Sequence, residues 1–315
     1  MTAGAEAGAD IRSAPVDEFE PGGGVLCLVE QFGPGGGPDR LARALAPELE
    51  RRLGRAVVVE NVSAGGDGAV GLAARTGAVL VDTAAFASRP VFDPRLEAAH
   101  AALVPLVGGC FQPYVLVAAA GSTVVRDLRP ADHGGGVIRY AVPALGSATH
   151  VLLARLFDQV SRSAVVVPAP SSVTPIANAL ALVERREADL ALAPIPFAQR
   201  WFDRGALAPV AVTTARRSSR LPAVPTVGEV TGVVFDGPIW YGFWVAAWMP
   251  VAERGRLASA IAAALRDPAM VAFLSEEGAA PLGIDGEGLA SLAAAERDAA
   301  RSLFARQRPA MDARD

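Results

Sequence analysis

The chain has 315 residues, 51% of them apolar and 20% charged, a globular composition long enough for about two domains. Its 29 basic and 33 acidic residues leave a net charge of −4 with no basic block, so neither a nucleic acid nor an anionic membrane surface is an expected partner. Every basic residue is Arg, and without Lys neither a Walker-type phosphate loop nor a pyridoxal Schiff base can be built.

Residues 1–24 are acidic, with one Arg and no apolar core of a signal peptide, and are expected to be a disordered tail. As the sequence stands, this places the protein in the cytoplasm; a trimmed signal would place it in the periplasm or otherwise outside the cytoplasm. From Val25 onward, strand-like apolar runs at 25–30, 56–61, 78–83, 114–120, 137–142, 164–169, 188–194 and 207–214 alternate with amphipathic segments. That alternation predicts an α/β protein with mainly parallel sheets. The first helix carries Leu41, Leu45, Leu49 and Leu53 on one stripe, and Pro47 is expected to kink it. Later helices are expected at 146–160, 173–186, 250–265 and 286–307. The uncharged stretch 101–125 is broken by Pro105, Gly108, Gly109, Gln112 and Pro113, so it reads as two buried strands and not as a membrane span.

Segment 118–215 holds a complete strand-helix-strand-helix-strand set, whereas its flanks look incomplete. The expected organisation is therefore a discontinuous first lobe, 25–117 plus 216–315, and a second lobe, 118–215, with hinges near 114–120 and 209–217. Cys27 and Cys110 lie in apolar strand contexts and are expected to be buried and unpaired. His100, His133 and His150 are too isolated from one another and from both Cys to form a metal site.

In such sheets ligands sit at the carboxyl ends of the strands. Three loops there have suitable composition: Phe32 to Asp39, with Gly35, Gly36 and Gly37; Ser63 to Gly68, with Gly65, Gly66 and Asp67; and Leu145 to His150, with Gly146, Ser147 and Thr149. Glycines let backbone approach a ligand, and the first N–H groups of the following helix form an anion site. Each loop can also be a plain tight turn, Asp39 a helix-start residue and His150 a packed histidine; three such loops in one chain favour a binding cleft. None matches the dinucleotide fingerprint.

The ordered set VEQFGPGGGPDRLARALAPELERRLG, VVVENVSAGGDGAVGLAA, YAVPALGSATHVLLARLF, LAPVAVTTARRSSRLPAVPTVGEV and WYGFWVAAWMP resembles the substrate-binding receptors of tripartite tricarboxylate transporters, the Bug family. The resemblance implies two Rossmann-like lobes around a central cleft, periplasmic-binding-protein-like of type II, closing on a small carboxylate without cofactor or metal. It also implies a monomer, with membrane transporter subunits as partners if the chain is exported. It maps ligand contacts onto Phe32, Gly35, Gly36, Asp39, Gly65, Gly66, Gly68, Thr83, Ala84, Gly146, Ser147 and Thr149. The family's Pro-Tyr-Lys-Gly is replaced by Pro168-Ala169-Pro170-Ser171, its Asp or Gly after the next strand by Ala193-Pro194, and Arg89 and Arg95 are candidates for a second carboxylate. A cytosolic enzyme on the same scaffold is the alternative, with Asp39, Asp67, Asp82, Ser147 and His150 as its polar groups.

Overall fold

The computed structural model describes residues 24–62, 68–124, 128, 136–170 and 175–312, so the expected tail lies outside the described residues except for Gly24. The elements follow in the order β1 (Leu26–Glu30), α1 (Gly37–Leu53), β2 (Val57–Asn61), α2 (Gly68–Thr76), β3 (Val79–Thr83), α3 (Ala85–Phe92), α4 (Glu97–Ala101), β4 (Leu103–Gln112) and β5 (Tyr114–Ala119). Then come β6 (Ile138–Val142), α5 (Ala148–Gln159), β7 (Ala164–Pro168), α6 (Pro175–Glu184), β8 (Leu190–Pro194), α7 (Ile195–Asp203) and β9 (Leu207–Val212). The chain closes with α8 (Val227–Thr231), β10 (Ile239–Ala246), α9 (Val251–Leu265), α10 (Pro268–Glu276), β11 (Ala280–Pro281) and α11 (Gly286–Asp312).

Two sheets form two lobes, ordered β11-β4-β10-β3-β1-β2 and β7-β6-β8-β5-β9. The expected βαβ units are present: β1 pairs in parallel with β2 and β3, and β6 with β7 and β8. The sheets are nevertheless mixed rather than mainly parallel. Strand β10 runs against both β3 and β4, and β5 runs against both β8 and β9. The reason lies in where the chain enters each lobe. Tyr114, the first residue of β5, pairs with Pro194 at the carboxyl end of β8, and Ile239, the first of β10, pairs with Gln112 at the carboxyl end of β4. A strand that starts at the end where its neighbours finish has to run backwards.

The expected lobe boundaries shift for the same reason. The first crossing is Pro113, which follows Gln112 of β4 directly, so a cut after residue 117 falls inside β5. On the return, Val212 N–H donates to Pro225 O at 2.9 Å, and Leu221 and Val224 still pack on the outer core of the second sheet, beyond the expected cut at 215. The return segment starts beside the first crossing: Thr213 N–H donates to Tyr114 O at 2.9 Å, extending the β5–β9 ladder, and Gly237 N–H, just before β10, donates to Thr213 O at 2.8 Å.

Helix α1 continues through Pro47, which stands on its exposed side, while Leu41, Leu45 and Leu49 are fully buried. The core beneath these elements is continuous across the lobes, joining Leu28 and Phe243 of the first with Tyr140 and Leu192 of the second. The 101–125 stretch supplies β4 and β5, and among the described residues no single helix is long and apolar enough to cross a membrane. Cys27 and Cys110 are buried and free. Burial beside Glu60 pushes the Cys27 thiol up to about 12, and burial raises Cys110 as well, so neither is an activated nucleophile.

Candidate functional site in the cleft between the lobes

The strands of the first lobe end at the cleft in polar residues. Strand β1 ends in Glu30, followed by Gln31; β2 ends in Asn61; β3 ends in Asp82 and Thr83. Glu30, Asp39 and Asp82 are buried together near the start of α1, an arrangement that needs donors or protons to be stable. Phe32 N–H donates to Glu30 Oε2 at 2.5 Å and Asn61 Nδ2 donates to Glu30 Oε1. Burial still pushes the Glu30 carboxyl up to about 7, with Asp39 and Asp82 adding to the rise against those two hydrogen bonds.

Asp39 organises the glycine loop. Its carboxylate accepts from Gly35 N–H at 2.8 Å, Arg43 Nε at 2.8 Å and Asn61 Nδ2 at 2.8 Å. Gly36 N–H donates to Gly33 O at 3.2 Å. The amides of Gly35 and Gly36, expected to meet a ligand, are thus spent inside the loop, because the Asp39 side chain in the first helical turn and the Gly33 carbonyl are the acceptors nearest to them. The glycine that packing requires is Gly37: a Cβ there would lie 2.0 Å from Tyr241 Oη. That buried hydroxyl sits 3.3 Å from Tyr114 Oη, one tyrosine from each sheet.

Helix α3 faces the second lobe. Ala84 N–H donates to Trp240 O at 3.0 Å, and Ala85 N–H to Thr83 Oγ1 at 3.1 Å, which fixes the start of the helix. One turn on, Ser88 Oγ donates to Gly146 O at 2.7 Å across the lobes. Arg89 Nη1 donates to Gln31 Oε1, and Gln31 Nε2 donates to Asp82 Oδ2 at 2.7 Å, while Thr83 N–H donates to the other Asp82 oxygen at 2.6 Å. Burial lifts the Asp82 carboxyl up to about 7, opposed by the Arg89 guanidinium and those two donors. Arg89 is thereby held at the cleft. Arg95, its rival in the sequence, is exposed and bound to both oxygens of Asp93 at 2.8 Å.

In the second lobe Gly146 has φ +76°, and a Cβ there would come within 3.0 Å of Phe92 and 3.1 Å of the Arg89 Cα, so only glycine fits. Its N–H donates to His150 Nδ1 at 3.0 Å, which makes that nitrogen an acceptor. His150 is 1% exposed, edge-on to Phe92 and stacked with Tyr140. Ser147 caps α5, its Oγ accepting from His150 N–H at 3.3 Å with Thr149 Oγ1 at 3.3 Å. Of the groups offered for catalysis, Asp39, Asp82, Ser147 and His150 all hold backbone in place.

Gly65, Gly66 and Asp67 lie outside the described residues, and Gly68 opens α2. Phe32, Asp39, Thr83, Ala84, Gly146, Ser147 and Thr149 are brought to one region, linked through Tyr241 and through the Ser88–Gly146 bond. Pro168 to Pro170 after β7, and Ala193-Pro194 at the end of β8, bring no charge there. Glu30, Gln31, Asn61, Ser88, Tyr114 and Tyr241 are members that composition alone did not single out for binding. The only available signal was a polar pair, Glu30-Gln31, at the end of an otherwise apolar strand.

A sequence model described as the tripartite tricarboxylate transporter family receptor matches residues 41–307. A UPF0065 protein from the tcbD-tcbE intergenic region of Pseudomonas sp. (strain P51) is 26% identical over 294 residues, covering 90% of this chain and 86% of that one. Among solved structures, the Rhodopseudomonas palustris protein Rpa4515 with adipate superposes with a TM-score of 0.74 at 23% identity, covering 89% of this chain and 95% of the other. MatC from the same organism, with bound malate, gives 0.71 at 20% identity, covering 89% and 98%. Both share the α/β two-lobed fold.

Proposed function

The chain belongs to the tripartite tricarboxylate transporter receptor family, and from that premise we propose that this solute-binding protein captures a small dicarboxylate between its lobes. The observation that carries the reading is that Arg89, in the second half of α3, and the N-terminal turn of α5 meet across the lobes, joined by the Ser88–Gly146 bond. A helix N-terminus offers N–H groups and a positive dipole end to an anion, and Arg offers a fork that fits a carboxylate. One carboxylate is assigned to Arg89 and the other to the first turn of α5, with Thr149. Relatives solved with adipate and malate, at low identity, agree with a diacid of four to six carbons. The membrane subunits of such a transporter are the partner this reading implies.

Titration calorimetry with malate, succinate and adipate, against acetate as a one-carboxylate control, tests it. Arg89→Gln removes a charge-assisted bond worth about 1.5–3 kcal/mol, so dicarboxylate affinity is expected to fall about ten- to a hundredfold. Thr149→Val is expected to weaken binding without unfolding the protein. Undiminished affinity in both variants would move the site elsewhere.

A further inference from the structure

Beyond the loops of the cleft, between α5 and α11, the protein has a groove of about 730 Å³, within the usual range of small-molecule sites. It shares Ala84 and Ala148, the latter in the first turn of α5, with the candidate site, but none of the residues from Gln31 to Asp39 or from Gly146 to Ser147. Helix α5 turns Leu152 and Arg155 into it, α11 turns Leu292 and Glu296, and both interlobe connections contribute, through Pro113 and Asp236. Phe111 and Trp240 add aromatic surface.

The charges decide what fits. Glu296 and Arg155 feel each other across the groove, burial pushing the Glu296 carboxyl up and the guanidinium pulling it down. Among the described residues neither makes a hydrogen bond or ion pair. The buried Trp240 Nε1–H likewise lacks an acceptor among the described residues. Two half-buried opposite charges that do not meet are best satisfied by a ligand carrying both complements. A dicarboxylate would set one carboxylate against Glu296, and a diamine would set one ammonium against Arg155.

We propose that this groove is a second ligand site, for a small zwitterion with an apolar body such as an aromatic α-amino acid, its carboxylate on Arg155, its ammonium on Glu296 and its ring along Phe111 and Trp240. Because both lobes and both connections line the groove, filling it favours one lobe arrangement and so changes affinity in the cleft, reciprocally. That coupling rests on the dicarboxylate reading; the site itself does not.

The test is titration calorimetry of the full chain with L-phenylalanine, 3-phenylpropionate and 2-phenylethylamine, with and without adipate. L-phenylalanine is expected to bind, and each analogue, lacking one charge, to bind about tenfold or more weakly. Arg155→Gln and Glu296→Gln are each expected to weaken L-phenylalanine by about tenfold or more. Ala295→Trp, on the exposed side of α11, is expected to block the groove while adipate still binds; if that variant does not fold, the two charge variants carry the test. No L-phenylalanine binding to folded protein, equal binding in all folded variants, or loss of L-phenylalanine in Arg89→Gln would overturn the proposal. Failure of adipate alone, with L-phenylalanine behaving as stated, would defeat the cleft reading and leave the groove standing.

Discussion

Gly37 shows how one missing methyl group holds the cleft together. Its Cβ would stand 2.0 Å from Tyr241 Oη and 2.7 Å from the ring carbon Cζ. Gly37→Ala is therefore expected to destabilise the protein by about 1–3 kcal/mol in urea titrations, as overpacked cores do. Tyr241→Phe should not rescue it, because the ring carbon remains; full rescue would show that only the hydroxyl matters. Glu30 and Asp82 make a second residue-scale prediction, on pH. Their carboxyls sit up to about 7 in the folded protein against ordinary values of 4.5 and 3.8, so folding binds protons. Their stabilising share is complete below those ordinary values and is lost as pH rises through about 7. His100 works in the opposite sense, since burial lowers it from 6.5 to about 4 and it destabilises as pH falls below 6.5. The clean window is thus above pH 6.5, where the unliganded protein is expected to lose melting temperature toward about pH 8. Glu30→Gln and Asp82→Asn should flatten that slope, and a melting temperature that rises across the window would contradict the assignment.

At the scale of elements, α11 is the part that ties the lobes from outside. It packs on α3 and β4 of the first lobe and reaches α5 of the second, with Leu289, Ala300 and Leu303 buried along it. Near its end Phe304 meets Phe92 edge-on at 5.3 Å, and Arg306 stands 3.4 Å from Asp158. Both members of that ion pair are 55% exposed, so solvent screens it, whereas Leu303 is 3% exposed. Leu303→Ala is expected to destabilise the protein by about 2–5 kcal/mol, and Arg306→Ala by no more than about 1 kcal/mol. Chemical denaturation distinguishes the two; comparable effects would mean that charge rather than packing fastens the helix.

For the whole molecule, the decisive feature is that one apolar core runs through both lobes. Tyr114–Tyr241 and Ser88–Gly146 cross between them as well. The lobes are therefore expected to unfold together, as one calorimetric transition whose direct and van't Hoff enthalpies agree. Two resolved transitions would show that the shared core contributes little. Cooperative unfolding is compatible with a hinge, since a small change of lobe angle disturbs the contacts at the cleft and leaves each sheet intact.

The sequence by itself determined the alternation of strands and helices, the two lobes, and the strand ends where polar loops gather. Those features follow from periodicity within a few residues, and the chain carries that periodicity whatever surrounds it. Tertiary structure decided the rest. Strands β5 and β10 look like their neighbours in sequence, yet they run backwards because each enters its sheet at the end where the others finish. Arg89 and Arg95 are both arginines beside a helix, and only their partners, Gln31 for one and Asp93 for the other, separate a cleft residue from a surface one. Gly35 and Gly36 read as bare amides for a ligand, but Asp39 and Gly33 stand closer. Arg89 and Gln31 are 58 residues apart, and Tyr114 and Tyr241 are 127 apart. At such separations no local propensity selects the partner; it is fixed only when the sheets pack and each buried donor takes the acceptor within reach.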